Sequence, residues 1–259
     1  MDEILTIIAA MHVNDITDPC ALTIGTFDGV HLGHQMLIGR LKSVLPPSGI
    51  PVVFTFSNHP SHLFTPSSPI PLICTPEHKS QLLTSCGAKH ILMVPFTQTF
   101  SETPFAEFLT ELHSKLHFTH LILGEGATFG KNREGDETHV RALGDKLHFQ
   151  TEYIAKKFLG TRPISSGRVR IAIETGNFEE AALCLGREYS LLGRLHPEKE
   201  HYLLPMENIC LPPEGIYPIR IKTPKETLLG RAHVNSRQQF IRIDPLTPLL
   251  SPLLVEIIF

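Results

Sequence analysis

The sequence predicts an α/β protein: a doubly wound, mostly parallel sheet in the first part of the chain and a smaller all-β unit, a partial barrel, in the last. Two observations carry this. Up to about residue 186, short β-rich apolar runs alternate with helical patterns, the form taken by repeated βαβ units. Beyond that point proline and short β runs replace the helices. A chain of 259 residues, 42% hydrophobic, is long enough for one sizeable core and a second, smaller one.

The expected parallel strands are the runs Ala21 to Gly25, Val52 to Phe56, His90 to Val94, His120 to Gly124 and Thr151 to Ala155. Between them, Leu37, Leu41 and Leu45 recur at helical spacing, and Phe105, Phe108, Leu109, Leu112 and Leu116 form a second apolar stripe. Both stripes are predicted to face the sheet. Thr75-Pro76 and Thr103-Pro104 each set a hydroxyl cap before a proline whose missing N–H costs nothing at a helix start. Asn177 with Glu180 has the form of a capping box, and Gly186 closes that helix. The β runs that follow are Gly215 to Lys222, Arg231 to Val234, Phe240 to Ile243 and Leu253 to Phe259. The change of pattern places a domain boundary at Gly186 to Arg187, giving domains 1–186 and 187–259.

Composition narrows the partners. There are 23 Lys+Arg against 26 Asp+Glu, and no stretch concentrates basic residues with interleaved aromatics, so a nucleic-acid partner is not expected. A small phosphorylated ligand remains compatible. Met1-Asp2-Glu3-Ile4 opens with acid where a secretory signal needs positive charge, and no apolar run approaches the roughly 20 residues that span a bilayer. The expectation is a cytoplasmic protein with no membrane partner. Cys20, Cys74, Cys86, Cys184 and Cys210 are odd in number, spread out and without a C-x-x-C, which predicts reduced, mostly buried thiols. Oligomeric state has no signature in the sequence.

The strongest local signal is Gly25-Thr26-Phe27-Asp28-Gly29-Val30-His31-Leu32-Gly33-His34-Gln35, between the first expected strand and the helix carrying Leu37. A glycine-rich strand-to-helix turn lets backbone approach an anion, and the N–H groups and positive dipole end of the new helix then face it. His31 and His34 are three apart, so both imidazoles can donate to one phosphate group, while Gly33 keeps bulk away from the ligand. Paired histidine donors suit nucleotidyl transfer, where the protein aligns reactants and stabilises charge on phosphate oxygens. A catalytic zinc site needs a third protein ligand that no nearby motif supplies, so the pair does not by itself indicate a metal centre.

His31-Leu32-Gly33-His34 resembles the H-x-G-H signature of the adenylyl- and cytidylyltransferase superfamily, and the whole eleven-residue string resembles the prokaryotic bifunctional riboflavin kinase/FMN adenylyltransferase family, also called bacterial FAD synthetase. Three further segments follow in that family's order: Thr55-Phe56-Ser57-Asn58-His59-Pro60, Gly124-Glu125-Gly126-Ala127-Thr128-Phe129-Gly130-Lys131 with Gly135-Asp136, and Ile164-Ser165-Ser166-Gly167-Arg168-Val169-Arg170. The resemblance implies a Rossmann-like fold that joins the AMP of ATP to FMN, with Mg2+ as cofactor. It implies catalytic roles for His31, His34, Ser166 and Arg170, and nucleotide or phosphate contacts for Gly25, Thr26, Phe27, Asp28, Gly33, Gly124, Ser165 and Arg168. Phe56, Asn58, His59 and Phe129 are the flavin-binding candidates. No residue is singled out as a metal ligand. Gly126, Ala127 and Gly167 depart from the pattern, removing an acidic or amide group, an aromatic and a hydroxyl.

The last part resembles the family's riboflavin kinase module in pieces, at Tyr189 to Arg194 and Leu211 to Tyr217. In the region where the family has Gly-Phe-Pro-Thr-Ala-Asn, this chain has Leu204-Pro205-Met206-Glu207-Asn208-Ile209, with Met206 in place of the threonine. The resemblance gives the threonine and asparagine the task of holding magnesium and ATP phosphates, and a thioether is a poor ligand for a hard cation. Glu256 lies where that module's catalytic base would be, and the sequence stops soon after, at Phe259. The expectation is a shortened, degenerate kinase remnant containing Asn208 and Glu256. Two alternatives stay open: a complete bifunctional enzyme that also phosphorylates riboflavin, and a non-catalytic flavin- or nucleotide-binding protein.

Overall fold

The structure, a computed structural model, describes residues 18–199, 201–235, 240–246 and 254–259. The acidic opening Met1 to Ile4, and Leu253 of the last expected β run, lie outside the described residues. The described chain packs as two compact bodies. One takes the residues up to Phe27 with Gly33–Ser68 and Ser80–Lys157; the other takes Asp28–Leu32, Pro69–Lys79 and Phe158–Phe259.

The first body is built on β1 (Cys20–Ile24), β2 (Ile50–Phe56), β3 (His90–Val94), β4 (His120–Gly124) and β5 (Gln150–Ile154). All neighbours are parallel, in the order β3-β2-β1-β4-β5. Every residue of β1 and β2 is buried, which is why these strands read as unbroken apolar runs and not as alternating ones. Leu22 sits in register with Val52 on one side and Leu121 on the other. The connections reverse direction at β1, so the switch point of this doubly wound sheet lies between β1 and β4, at whose carboxyl ends such folds place their crevices.

Helix α1 (Leu32–Val44) buries Leu37, Ile38 and Leu41, and Leu45 falls just past its end. In α2 (Pro76–Cys86) the N–H of His78 donates to the Thr75 hydroxyl at 3.2 Å, as the sequence predicts. Helix α3 (Phe105–Leu116) buries Phe108, Leu109, Leu112 and Leu116, but its start differs from expectation. The Thr103 hydroxyl donates back to the Thr99 carbonyl at 3.0 Å, and Glu134 accepts the Phe105 N–H at 3.0 Å in its place. A carboxylate 29 residues away outcompetes the local cap. Helix α4 (Glu137–Leu147) starts on an Asp136 cap.

The second body holds the hairpin β6 (Phe158–Leu159) and β7 (Arg162–Pro163), helices α5 (Ser166–Glu174) and α6 (Phe178–Leu185), and strands β8 (Ser190–Arg194), β9 (His196–Glu198), β10 (His201–Pro205), β11 (Gly215–Lys222), β12 (Thr227–Val234), β13 (Phe240–Pro245) and β14 (Leu254–Ile258). The last seven strands form an antiparallel near-barrel in the order β8-β14-β11-β12-β13-β10-β9. In β11, Ile219 and Ile221 point inward while Arg220 and Lys222 stay exposed, the period-2 pattern of a sheet wet on one face. Val169, Ile173, Ala181 and Leu185 of the two helices share one core with Leu191, Ile221, Ile243 and Ile257 of the strands. Asn177 accepts the Glu180 N–H at 3.0 Å, but the Glu180 carboxylate turns to Arg168, so only half of the capping box forms. Gly186 ends α6 in the left-handed conformation, φ 69°. Among the described residues no helix is long and apolar enough to cross a membrane.

Candidate functional site

The glycine turn after β1 has unusual backbone. Phe27, Gly29 and Val30 have φ of 48°, 77° and 43°. Only glycine fits at Gly29, where an added Cβ would lie 2.9 Å from Ile73 Cγ2. Val30 is β-branched and strained in this region, so surrounding contacts must enforce its conformation. Those contacts are present. The Asp28 carboxylate, 1% exposed, accepts from Arg170 Nη2 at 2.6 Å and from the Ile73 N–H at 2.9 and 3.1 Å. The Ser166 hydroxyl donates to the Asp28 carbonyl at 2.9 Å. Arg187 donates to the carbonyls of Gly29 at 2.9 Å and Val30 at 3.3 Å.

This network joins Asp28 to Ser166 and Arg170, candidates more than 130 residues further along the sequence, and gives them tasks the sequence does not show. Arg170 is held by Asp28 and by the Pro71 carbonyl at 2.7 Å. Arg168 pairs with Glu180 at 2.6 Å and donates to the carbonyls of Leu159 and Arg162, while Ser165 caps α5 by accepting the Arg168 N–H at 3.2 Å. Arg187 is the member of the network that the sequence analysis passed over, because its targets are backbone carbonyls about 157 residues away.

His31 is buried. Loss of solvent pulls its imidazole down to about 4; a hydrogen bond to its own backbone opposes this and the Arg187 charge adds to it, so the ring is neutral at physiological pH. His34 is half-buried with the Phe27 ring 5.0 Å away, tilted by 59°. Thr26 accepts the Thr55 hydroxyl at 3.0 Å, and Gly25 donates its N–H to the Phe54 carbonyl at 3.1 Å. At Gly124, which ends β4, an added Cβ would meet only Leu37 at 3.9 Å, so packing does not demand a glycine there.

The first body contains a cavity of about 410 Å³ at the carboxyl ends of its strands. Ile24 of β1 with Gly25 and Thr26 after it, Phe56 of β2, and Ala127 to Gly130 after β4 line it. Phe64, Phe96, Phe100 and Phe108 complete an aromatic wall, with Phe56 and Phe100 5.1 Å apart edge to face. The size and apolar lining suit a planar aromatic ligand. Phe56 and Phe129, predicted flavin contacts, are both in the lining; Asn58 and His59 are not. The Asn58 amide is spent on Phe96, donating to its carbonyl at 3.1 Å and accepting its N–H at 2.6 Å. His59 Nδ1 accepts the Ser61 N–H at 3.1 Å and lies 2.9 Å from the Ser61 hydroxyl. Ala127, where the family resemblance calls for an aromatic, is part of the lining.

The kinase-like positions are taken up by structure. Met206 is buried in the core of the second body, and the carbonyl of Asn208, φ 54°, accepts the Leu72 N–H at 2.8 Å. Glu256 accepts from Ser190 at 2.7 Å and Lys222 at 3.2 Å, with His78 Nε2 at 3.8 Å. Burial pushes its carboxyl up, but these hydrogen bonds and the charges of Lys222 and His78 outweigh it and hold the group below the usual range.

A doubly wound sheet, a histidine-bearing glycine turn and an aromatic cavity at the switch point together describe an α/β protein of the nucleotide-handling class. The sequence model of the FAD synthetase family matches residues 13–168, and the chain belongs to that family. A bifunctional riboflavin kinase/FMN adenylyltransferase of Listeria monocytogenes is 31% identical, the match covering 82% of this chain and 71% of the relative. A protein of the same bacterium named FAD synthetase is 29% identical, covering 76% and 79%. Among solved structures, one titled as a macrolide-efflux protein from Streptococcus pneumoniae matches with a TM-score of 0.77 over 95% of this chain and 86% of that one; at 20% identity it bears on the fold alone.

Proposed function

We propose that the protein transfers the adenylyl group of ATP to FMN, giving FAD and pyrophosphate. An FMN phosphate oxygen attacks the α-phosphorus; the new P–O bond forms as the α–β bridging P–O bond breaks, and pyrophosphate leaves with that electron pair. The observation that carries the reading is the strained Gly25-to-His34 turn, fixed by Asp28, Ser166, Arg170 and Arg187 at the start of α1. His31, its single ring N–H turning from its own backbone to the ligand, and His34 serve as donors to the phosphates as charge shifts to the leaving group. Ser166 and Arg170 act by holding Asp28, so both are positioning residues. The aromatic cavity takes the isoalloxazine ring, with Phe56 and Phe129 in contact and Asn58 and His59 shaping the wall.

Among the described residues no group of three His, Cys, Asp or Glu is gathered to hold a metal, so the donor set does not fit a resident ion. Mg2+ enters as part of the nucleotide substrate, held chiefly by phosphates. Residues 1–186 form the functional adenylyltransferase segment and 187–259 the kinase-like β domain, in a cytoplasmic setting. The test is incubation with Mg-ATP and FMN, with separation of the flavins formed. FAD and pyrophosphate are expected, and His34→Ala is expected to lower turnover about a hundredfold with the fold intact; no FAD under any metal condition overturns the proposal.

A further inference from the structure

We infer that Arg187 is a positioning residue for adenylyl transfer, fixing the backbone of the turn that presents His31; this rests on the adenylyltransferase reading above. Its guanidinium reaches two consecutive carbonyls, of Gly29 at 2.9 Å and Val30 at 3.3 Å, with a third, of Leu185, at 3.5 Å. Those two peptide planes also carry the N–H groups of Val30 and His31. In a planar trans peptide the N–H points opposite to the C=O, so drawing both carbonyls toward Arg187 turns both N–H groups away from it. Val30 has φ 43°, a conformation a β-branched residue keeps only when its surroundings dictate it.

Arg187 is itself well placed to dictate. The left-handed Gly186 ends α6 and delivers the side chain beneath the turn, and the bond to Leu185 anchors the fork to that helix end. Lysine could supply the charge but only as a point donor, not as a planar fork able to hold two carbonyls at once. The same charge acts on the neighbouring His31 imidazole, favouring its neutral form.

The test compares wild type with Arg187→Lys and Arg187→Ala in FAD synthesis, with thermal unfolding as the fold control. Turnover is expected to fall about a hundredfold, the scale of a misplaced catalytic group, with KM for FMN changed by less than about twofold. Millimolar guanidinium is expected to restore part of the turnover in Arg187→Ala and none in a His31→Ala control, a response that mere loss of stability does not give. Wild-type turnover in either folded variant, or a loss confined to KM for FMN, overturns the inference. If wild type itself makes no FAD, the adenylyltransferase reading has failed and the clamp is judged by hydrogen exchange. Faster exchange at the Val30 and His31 amides in Arg187→Lys supports it, and unchanged exchange overturns it.

Discussion

Removing the Asp28 carboxylate should bring the protein close to unfolding, by an amount the structure allows to be worked out. The group is 1% exposed and accepts from Arg170 at 2.6 Å and from the Ile73 N–H at 2.9 Å. In Asp28→Ala, Arg170, 11% exposed, keeps the Pro71 carbonyl but loses its counter-charge. Breaking a buried pair from one side costs about 3–5 kcal/mol, and an orphaned buried N–H about 1–3 kcal/mol. The sum, roughly 4–8 kcal/mol, rivals the whole stability of a typical protein, about 5–15 kcal/mol. Arg170→Met also strands a charge, that of Asp28. The double variant strands neither, so it should lose clearly less than the sum of the singles, with a coupling of about 2–3 kcal/mol. Urea unfolding of the four proteins completes the cycle. Additive losses, within about 0.5 kcal/mol, would show that the pair does not hold the turn as argued.

Acidification supplies a second test. His31 and His78 both have folded values near 4 against 6.5 when free, so the unfolded chain takes up protons first and stability should fall as pH drops from 6.5 toward 4. A urea midpoint that stays flat from pH 7 to 4.5 refutes both histidine assignments. Glu256, whose folded value is held below its usual 4.5, adds a further loss below that pH. Phe129→Ala should raise KM for FMN about tenfold, the effect of losing roughly 1.4 kcal/mol of ring contact, with KM for ATP unchanged. An equal rise in both would remove the flavin from that cavity. Riboflavin with Mg-ATP should give little or no FMN, since Met206 is core and Glu256 is tied to Ser190 and Lys222. Robust FMN formation that is lost in Asn208→Ala/Glu256→Gln would show a working kinase.

Strands β1 and β2 were legible in the sequence because each is buried on both faces, leaving a continuous apolar run bounded by turn residues. The Thr75 and Asn177 caps were legible because donor and acceptor lie three residues apart. The Thr103 cap was not, since Glu134 comes in from 29 residues away. The same distinction divides the candidate site. Its turn string, its histidines and two of its aromatics could be picked out locally, whereas Phe64, Phe96 and Phe100 join the cavity wall only through folding.

Period and backbone preference over a few residues were enough to read the α/β order, the glycine turn with His31 and His34, and the change to β structure after Gly186. The partners of the long polar side chains became visible in the folded chain alone. A local pattern cannot say that Arg170 is bound to Asp28, Arg168 to Glu180, or Arg187 to the carbonyls of Gly29 and Val30. A buried guanidinium takes whichever acceptor the fold brings within about 3 Å, and for Arg170 and Arg187 those acceptors lie more than 140 residues away.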